Sequence, residues 1–168
     1  MDGRGSCRLD YEKTHLIALV EGYKKGSGAL QSCPVGGGPR VGLMICQDDN
    51  FTDLARGYGR AGAALLAVPT NDWKQVKDFH LENSIFRAVE NGYAVVRAAS
   101  NGVSAIVSPR GELLARRDHF RDGPGLILAR VALRGGPTPY SLAGDWPPLV
   151  GLLLLVVGGI WQHRTRRS

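Results

Sequence analysis

The residue best suited to chemistry in this sequence of 168 residues is Cys46. It follows a short apolar run, residues 41–45, which predicts a buried strand that ends at the cysteine. A helix is predicted to begin just beyond it, with Asn50 or Thr52 as its N-cap. Backbone N–H groups and a helix N-terminus at such a junction lower the pKa of a thiol, which makes Cys46 a candidate nucleophile. An ordinary buried cysteine is the alternative.

Residues 11–16, Tyr-Glu-Lys-Thr-His-Leu, place a cation near the start of the chain. They resemble the Tyr-x-Lys-x-His-Leu motif of the nitrilase superfamily of carbon–nitrogen hydrolases, in which the lysine stabilises an oxyanion. The resemblance implies that Lys13 is catalytic, because attack on a carbonyl creates a negative oxygen that a fixed cation stabilises. Glu21 has the spacing of a second glutamate of this family and is the third predicted catalytic residue. A solvated lysine and a loop carboxylate are the alternatives.

The strand that leads to Cys46 resembles the corresponding family strand. The membrane-bound branch of the superfamily usually continues Cys-Tyr-Glu, whereas this chain has Gln47 and Asp48. Asp48 keeps a carboxylate and is predicted to contact substrate. Asn71 and Trp73 belong to an Asn-Asp-Trp segment that resembles a Ser-Asn-Asp-Ala-Trp loop of the family, so both are also predicted to bind substrate.

Two further segments resemble family elements that support the site. Residues 86–92 resemble the helix behind it, and Arg97 with residues 100–104 resembles the stretch that follows. Arg87 and Glu90 lie on one face of the predicted helix, and such a pair is commonly structural, so we predict an ion pair without a catalytic role.

The C-terminal region discriminates within the superfamily. Residues 136–147 and the apolar run that follows them resemble the end of the apolipoprotein N-acyltransferases, and soluble nitrilases have no such tail. Trp146 and Trp161 flank the run and arginines crowd residues 164–167, which predicts a membrane helix with a cytoplasmic C-terminus. The run is about 15 residues long and a straight span needs about 20, so a buried terminal helix is the alternative.

The composition fits one globular domain, with 43% hydrophobic and 21% charged residues. The net charge is +6, but outside the C-terminus the basic residues are scattered among acidic ones. No basic stripe carries aromatic residues, so we predict no nucleic-acid partner. Three cysteines, Cys7, Cys33 and Cys46, argue against a closed disulfide framework. Since no His/Cys cluster has zinc spacing, we predict no metal and no cofactor.

Hydrophobic patterning and turn residues outline the secondary structure. Helices are predicted from residue 50 or 52 to about 60 and over 78–91, with a turn at 109–112. Strands are predicted over residues 15–20, 41–45, 63–68, 93–98, 102–107, 113–116 and 126–131. This order predicts a layered α/β fold with a mixed sheet.

The resemblance covers residues 9–163 and makes this fold a partial nitrilase-type αββα sandwich with a C-terminal transmembrane helix. The expected organisation is a partial carbon–nitrogen hydrolase domain over 1–143, the transmembrane helix over 144–163 and a basic tail over 164–168.

The resemblance also implies a function. It implies an N-acyltransferase that moves an acyl chain from a phospholipid, through a Cys46 thioester, to the N-terminal amine of a lipoprotein. The expected location is the bacterial inner membrane, with the catalytic domain on the periplasmic side. In the family, the general-base glutamate lies upstream of the lysine, so we expect a truncated chain that lacks its base and does not turn over. A membrane-tethered hydrolase of a small amide or nitrile, and a non-enzymatic remnant, are the alternatives.

Overall fold

The chain folds around a six-stranded mixed sheet. A computed structural model describes residues 9–165, and their side chains through His163. The strands lie in the sheet in sequence order: β1 (Ser32–Pro34), β2 (Arg40–Leu43), β3 (Ala63–Thr70), β4 (Ala94–Ala99), β5 (Val103–Val107) and β6 (Leu113–Asp118). Strands β2, β3 and β4 are parallel to one another, and the other neighbouring pairs are antiparallel. The predicted α/β fold class with a mixed sheet is confirmed.

Helices provide both crossovers between the parallel strands, as parallel pairing requires. The helices are α1 (Thr52–Arg60), α2 (Lys77–Asn91), α3 (His119–Asp122), α4 (Pro139–Ala143) and α5 (Trp146–Thr165). Gly92 ends α2 in the left-handed conformation, with φ of 71°, as the Asn-Gly pair predicts. The N-cap of α1 is Phe51, and the prediction of Asn50 or Thr52 is wrong. The Asn50 side chain instead bonds to side chains beside the site.

The two faces of the sheet differ in burial. On β3, Leu66 and Val68 are fully buried, whereas Leu65 and Ala67 are only partly buried. The buried face packs against α1 and α2 in one hydrophobic cluster, to which α1 contributes Tyr58. Burial of these apolar side chains stabilises the layer that carries the ends of β2, β3 and β4.

Two predicted strands are wrong. Residues 15–20 form a turn, in which the Glu21 N–H donates to the Ile17 carbonyl at 3.0 Å and Leu19 has a φ of 65°. Apolar residues there gave a strand-like pattern, but they line a cavity or lie exposed instead of entering the sheet. Residues 126–131 form neither a helix nor a strand and pair with no described strand.

The last helix, α5, has 20 residues and is therefore about 30 Å long. Pro147 and Pro148 lie in its first turn, where a missing N–H breaks no helical hydrogen bond. The window Trp146–His163 has none of its residues buried, and it is the single stretch of the described chain long and apolar enough to cross a membrane. Arg166 and Arg167 of the predicted basic tail lie outside the described residues.

Candidate active site

Cys46 lies at the carboxyl edge of the parallel strands, separated from Leu43, the last residue of β2, by Met44 and Ile45. It opens a 3₁₀ turn, Cys46–Asn50, with a φ of 47°, a left-handed conformation that costs an L-residue about 1–2 kcal/mol. Strain of this kind is held by the surrounding structure and is concentrated at functional sites. The predicted position of Cys46 between a strand and a helix is confirmed, although the strand ends at Leu43 and not at the cysteine.

The thiol of Cys46 is free and lies at the end of the neighbouring strand. Its Sγ lies 3.9 Å from the carbonyl oxygen of Asn71, at the end of the neighbouring strand β3. Cys46 is partly exposed and is the free cysteine among the described residues, since Cys33 is disulfide-bonded. This partial exposure excludes the alternative of a fully buried cysteine.

Lys13 and Glu21 form a bidentate ion pair. Lys13 Nζ donates to Glu21 Oε1 at 2.6 Å and to Oε2 at 2.8 Å, and the backbone N–H of Ile17 donates to Oε2 at 2.8 Å. Burial raises the pKa of Glu21, but the Lys13 and Ile17 hydrogen bonds outweigh it and hold this pKa below its usual value. The carboxylate is therefore ionised at neutral pH and fixes the lysine. The side chain of Lys13 is only 11% exposed, so it is not a solvated surface lysine.

Asp48 is fully buried and connects the segment around Lys13 with the turn that begins at Cys46. Its carboxylate accepts hydrogen bonds from the Tyr11 hydroxyl at 2.7 Å and from the backbone N–H groups of Thr14 at 3.1 Å and His15 at 2.6 Å. It also accepts from the Ile45 N–H at 3.2 Å. Asp48 was predicted to contact substrate, but it lies outside the cavity lining. It holds the Lys13 segment against the turn that begins at Cys46.

Cys46, Lys13 and Glu21 line one cavity of about 560 Å³. Asn71 and Trp73, both predicted to bind substrate, lie in its wall, and the Trp73 side chain is exposed. Most of the remaining wall is apolar. The other lining residues are Ile17, Val20, Ile45, Gln47, Pro69, Thr70, Asp72, Val76 and His80.

A buried polar network behind the cavity was largely missed from the sequence. Arg97 is fully buried on β4 and donates to Asp72 at 2.6 Å and to Asp49 at 3.2 Å. His80 on α2 bonds to the other oxygen of Asp72 at 2.8 Å. Burial raises the pKa of Asp72, but the His80 and Arg97 contacts outweigh it and lower this pKa overall. In the sequence, only a lone arginine in the otherwise apolar strand β4 indicated this network. No sequence pattern indicated a role for His80.

Arg87 and Glu90 pair at 3.0 Å on α2, and neither lines the cavity. The predicted structural ion pair is therefore present. The site itself combines a thiol, a held cation and a carboxylate in a pocket with apolar walls, an arrangement suited to thiol attack on a carbonyl carbon.

The carbon–nitrogen hydrolase family model matches residues 1–136 of the chain. The chain belongs to the carbon–nitrogen hydrolase family. A solved structure of a variant amidase from Nesterenkonia sp. AN1, with the acetamide moiety of fluoroacetamide added covalently at its active-site cysteine, has a TM-score of 0.63 and 26% identity, over 86% of this chain and 56% of that one. The predicted nitrilase-type fold is thereby confirmed.

The curated proteins similar to this carbon–nitrogen hydrolase domain include both an acyltransferase and an amidase. It is 34% identical over 134 residues to the apolipoprotein N-acyltransferase of Geobacter metallireducens, across 77% of this chain and 25% of the relative. It is 32% identical over 156 residues to the deaminated glutathione amidase of Mus musculus, across 79% of this chain and 46% of the relative. The chain thus spans about a quarter of the acyltransferase and about half of the amidase.

Proposed function

We propose that this domain carries the acyl-transfer site of an apolipoprotein N-acyltransferase, with Cys46 as the nucleophile. The observation that carries the proposal is the convergence of Cys46 with the Lys13–Glu21 pair on one cavity with mostly apolar walls. The resemblance of the chain to N-acyltransferases of several bacteria supports the same function.

The proposed reaction has two halves. The Cys46 thiol loses its proton to a base, and the thiolate attacks an ester carbonyl of a phospholipid. Lys13 stabilises the resulting oxyanion; the C–O bond then breaks, and the leaving alkoxide takes up a proton to give a lysophospholipid and an acyl thioester. In the second half, the N-terminal amine of a lipoprotein attacks the thioester, an amide forms, and the thiol of Cys46 is regenerated.

The proton acceptor for Cys46 is a separate question. Among the described residues that line the cavity, two carry carboxylates, Glu21 and Asp72. Both are engaged by cationic partners, and the pKa of each is lowered, so both are weak bases at neutral pH. We therefore propose that a different carboxylate accepts the thiol proton and that Glu21 positions Lys13, in agreement with the upstream glutamate that the family resemblance implies.

A lipid substrate fits the surroundings of the site. Val20 contributes to the cavity wall while remaining 59% exposed, and its neighbour Leu19 is fully exposed. Exposed apolar side chains at the mouth of a cavity favour an acyl chain over a small polar amide. An acyl chain that enters along these residues would place its ester near Cys46.

Helix α5 is proposed to anchor the domain in the bacterial inner membrane. Its length of 20 residues matches the roughly 30 Å hydrocarbon core, and its surface is apolar and exposed. The arginines after it are expected on the cytoplasmic side, which places the catalytic domain on the periplasmic side. Protease added to spheroplasts should digest the domain over residues 1–143; complete protection would contradict this location.

Acylation of Cys46 tests the proposed activity directly. The full chain in detergent is incubated with a phospholipid donor, and the mass of the intact protein is followed, with hydroxylamine to release a thioester. An acyl adduct on Cys46 that is absent from Cys46→Ala would support the proposal. If the wild-type protein gives no adduct, the acyltransferase function is wrong.

The second candidate is a membrane-tethered hydrolase of a small amide or nitrile. The likeness to amidases favours it, as does a cavity whose volume of about 560 Å³ suits a small molecule. Release of ammonia from short aliphatic amides, without lipoprotein acylation, would favour this candidate over the first.

A further inference from the structure

Gln47, the residue directly after Cys46, lies in the cavity wall, where its side chain is held by a chain of hydrogen bonds. Asn50 Nδ2 donates to Gln47 Oε1 at 2.8 Å. Asn50 in turn accepts at Oδ1 from Asn83 Nδ2, also at 2.8 Å. The same Asn50 Nδ2 lies 3.2 Å from His80 Nε2. The orientation of Gln47 is therefore decided by these neighbours.

The directions of these hydrogen bonds follow from Asp72. An ionised carboxylate only accepts, so His80 Nδ1, which lies 2.8 Å from Asp72 Oδ1, carries a hydrogen. With His80 Nδ1 as the donor to Asp72, His80 Nε2 is placed to accept the second N–H of Asn50. Asn50 Nδ2 thus faces two acceptors, and the atom of Gln47 that it meets is the carbonyl oxygen.

The other half of the Gln47 carboxamide is consequently an oriented donor. Its NH₂ group makes no hydrogen bond to any described residue, and the side chain is only partly exposed at the cavity wall beside the thiol. An amide N–H in this position needs an acceptor oxygen, and leaving it unpaired on substrate binding costs binding free energy.

We propose that Gln47 determines specificity by donating a hydrogen bond from this NH₂ group to an oxygen of the acyl compound close to the carbon that Cys46 attacks. The substrate class selected is an acyl compound with a carbonyl or ester oxygen near its reacting centre. This assignment rests on the proposed role of Cys46 as the nucleophile. A purely apolar group in the same place leaves the donor unpaired.

Alkylation of Cys46 tests the donor without requiring turnover. The full-length protein is treated with iodoacetamide, which carries an acceptor oxygen, or with ethyl iodide, which carries none, and alkylation of Cys46 is timed by peptide mass. Each rate is divided by the rate for glutathione under the same conditions. We expect the wild-type protein to favour iodoacetamide, and Gln47→Leu to reduce this preference by about three- to tenfold.

Two further variants separate the donor from packing. Gln47→Glu keeps an oxygen for Asn50 and replaces the NH₂ by an acceptor, so the preference is expected to fall without a change in side-chain size. Asn50→Asp turns Gln47 around, because a carboxylate accepts from its NH₂; the preference falls although Gln47 is still present. Gln75→Leu, an exposed site outside the cavity, is the matched control and should keep the wild-type ratio.

A wild-type ratio equal to that of glutathione, or an unchanged ratio in both Gln47 variants, overturns the role of Gln47. Slow alkylation of wild-type Cys46 by both reagents instead counts against Cys46 as an activated nucleophile. The ratio still reports on Gln47 in that case, so the two failures are distinguishable.

Discussion

Lys13 and Glu21 form a bidentate ion pair, with Nζ 2.6 Å from Oε1 and 2.8 Å from Oε2, in the wall of the cavity that Cys46 also lines. The turn between them brings the two side chains together, and the Ile17 N–H fixes the carboxylate from within the same turn. A lysine held in this way offers its remaining N–H to an oxyanion without a large loss of side-chain entropy.

Glu21→Gln should slow acylation of Cys46 by on the order of 100-fold, because a displaced Lys13 no longer meets the oxyanion. Lys13→Met should slow it by roughly 100- to 1000-fold. Initial rates of thioester formation, measured by intact mass, compare the variants with the wild-type protein. If Glu21→Gln stays within twofold of wild type, Glu21 does not position Lys13.

The left-handed backbone at Cys46 predicts an unusual order of stability. Cys46→Gly should be more stable than Cys46→Ala by up to about 1 kcal/mol, because glycine relieves a strain of roughly 1–2 kcal/mol and adds only about 0.5–1 kcal/mol of entropy cost. Both variants lack the thiol, so the comparison isolates the backbone. Urea unfolding gives the difference, and a less stable glycine variant would show that the residue is not strained.

Asp48→Asn should destabilise the protein by about 2–3 kcal/mol, since an amide nitrogen would face N–H groups that the carboxylate now accepts. The change also weakens the hydrogen bond from the Tyr11 hydroxyl to residue 48, which joins the Lys13 segment to the Cys46 turn, so acylation should slow. Free energies of unfolding in urea provide the first measurement. An unaffected variant would mean that Asp48 does not hold the two segments together.

Arg97→Met should be among the most destabilising single changes in the domain, at about 3–5 kcal/mol, because it leaves Asp49 and Asp72 buried without their cation. Arg116→Met removes an arginine from a partly exposed pair with Asp78 and is the matched control. We expect thermal unfolding to separate the two variants clearly, and similar midpoints would contradict the role of Arg97.

The free energy of unfolding of the domain should decrease at acidic pH, partly because Glu21 becomes protonated. Its pKa is lower in the folded state than in the unfolded chain, so its contribution is fully present above the unfolded value of about 4.3. That contribution is lost as the pH falls through the folded pKa. Unfolding free energies measured from pH 7 to pH 3 should decline less in Glu21→Gln than in wild type; parallel curves would exclude this contribution.

Local sequence determined much of the framework. The apolar run before Cys46, the helix that ends at Gly92 and the turn at residues 109–112 appear where the pattern predicts them, because each depends on contacts within a few residues. The motif around Lys13 likewise identified the cation, and the spacing from Lys13 identified Glu21.

Only the tertiary structure decided how these parts work together. It placed Asp48 behind the cavity instead of in its wall, since a fully buried carboxylate must be matched by donors from a segment more than 30 residues away. It also turned residues 15–20 into the wall of a pocket and joined His80, Asp72 and Asn50 to Gln47. Hydrogen-bond partners that are distant along the chain leave no periodic signal, so the sequence identified Cys46 and Lys13 as candidates, while the fold decided what orients them.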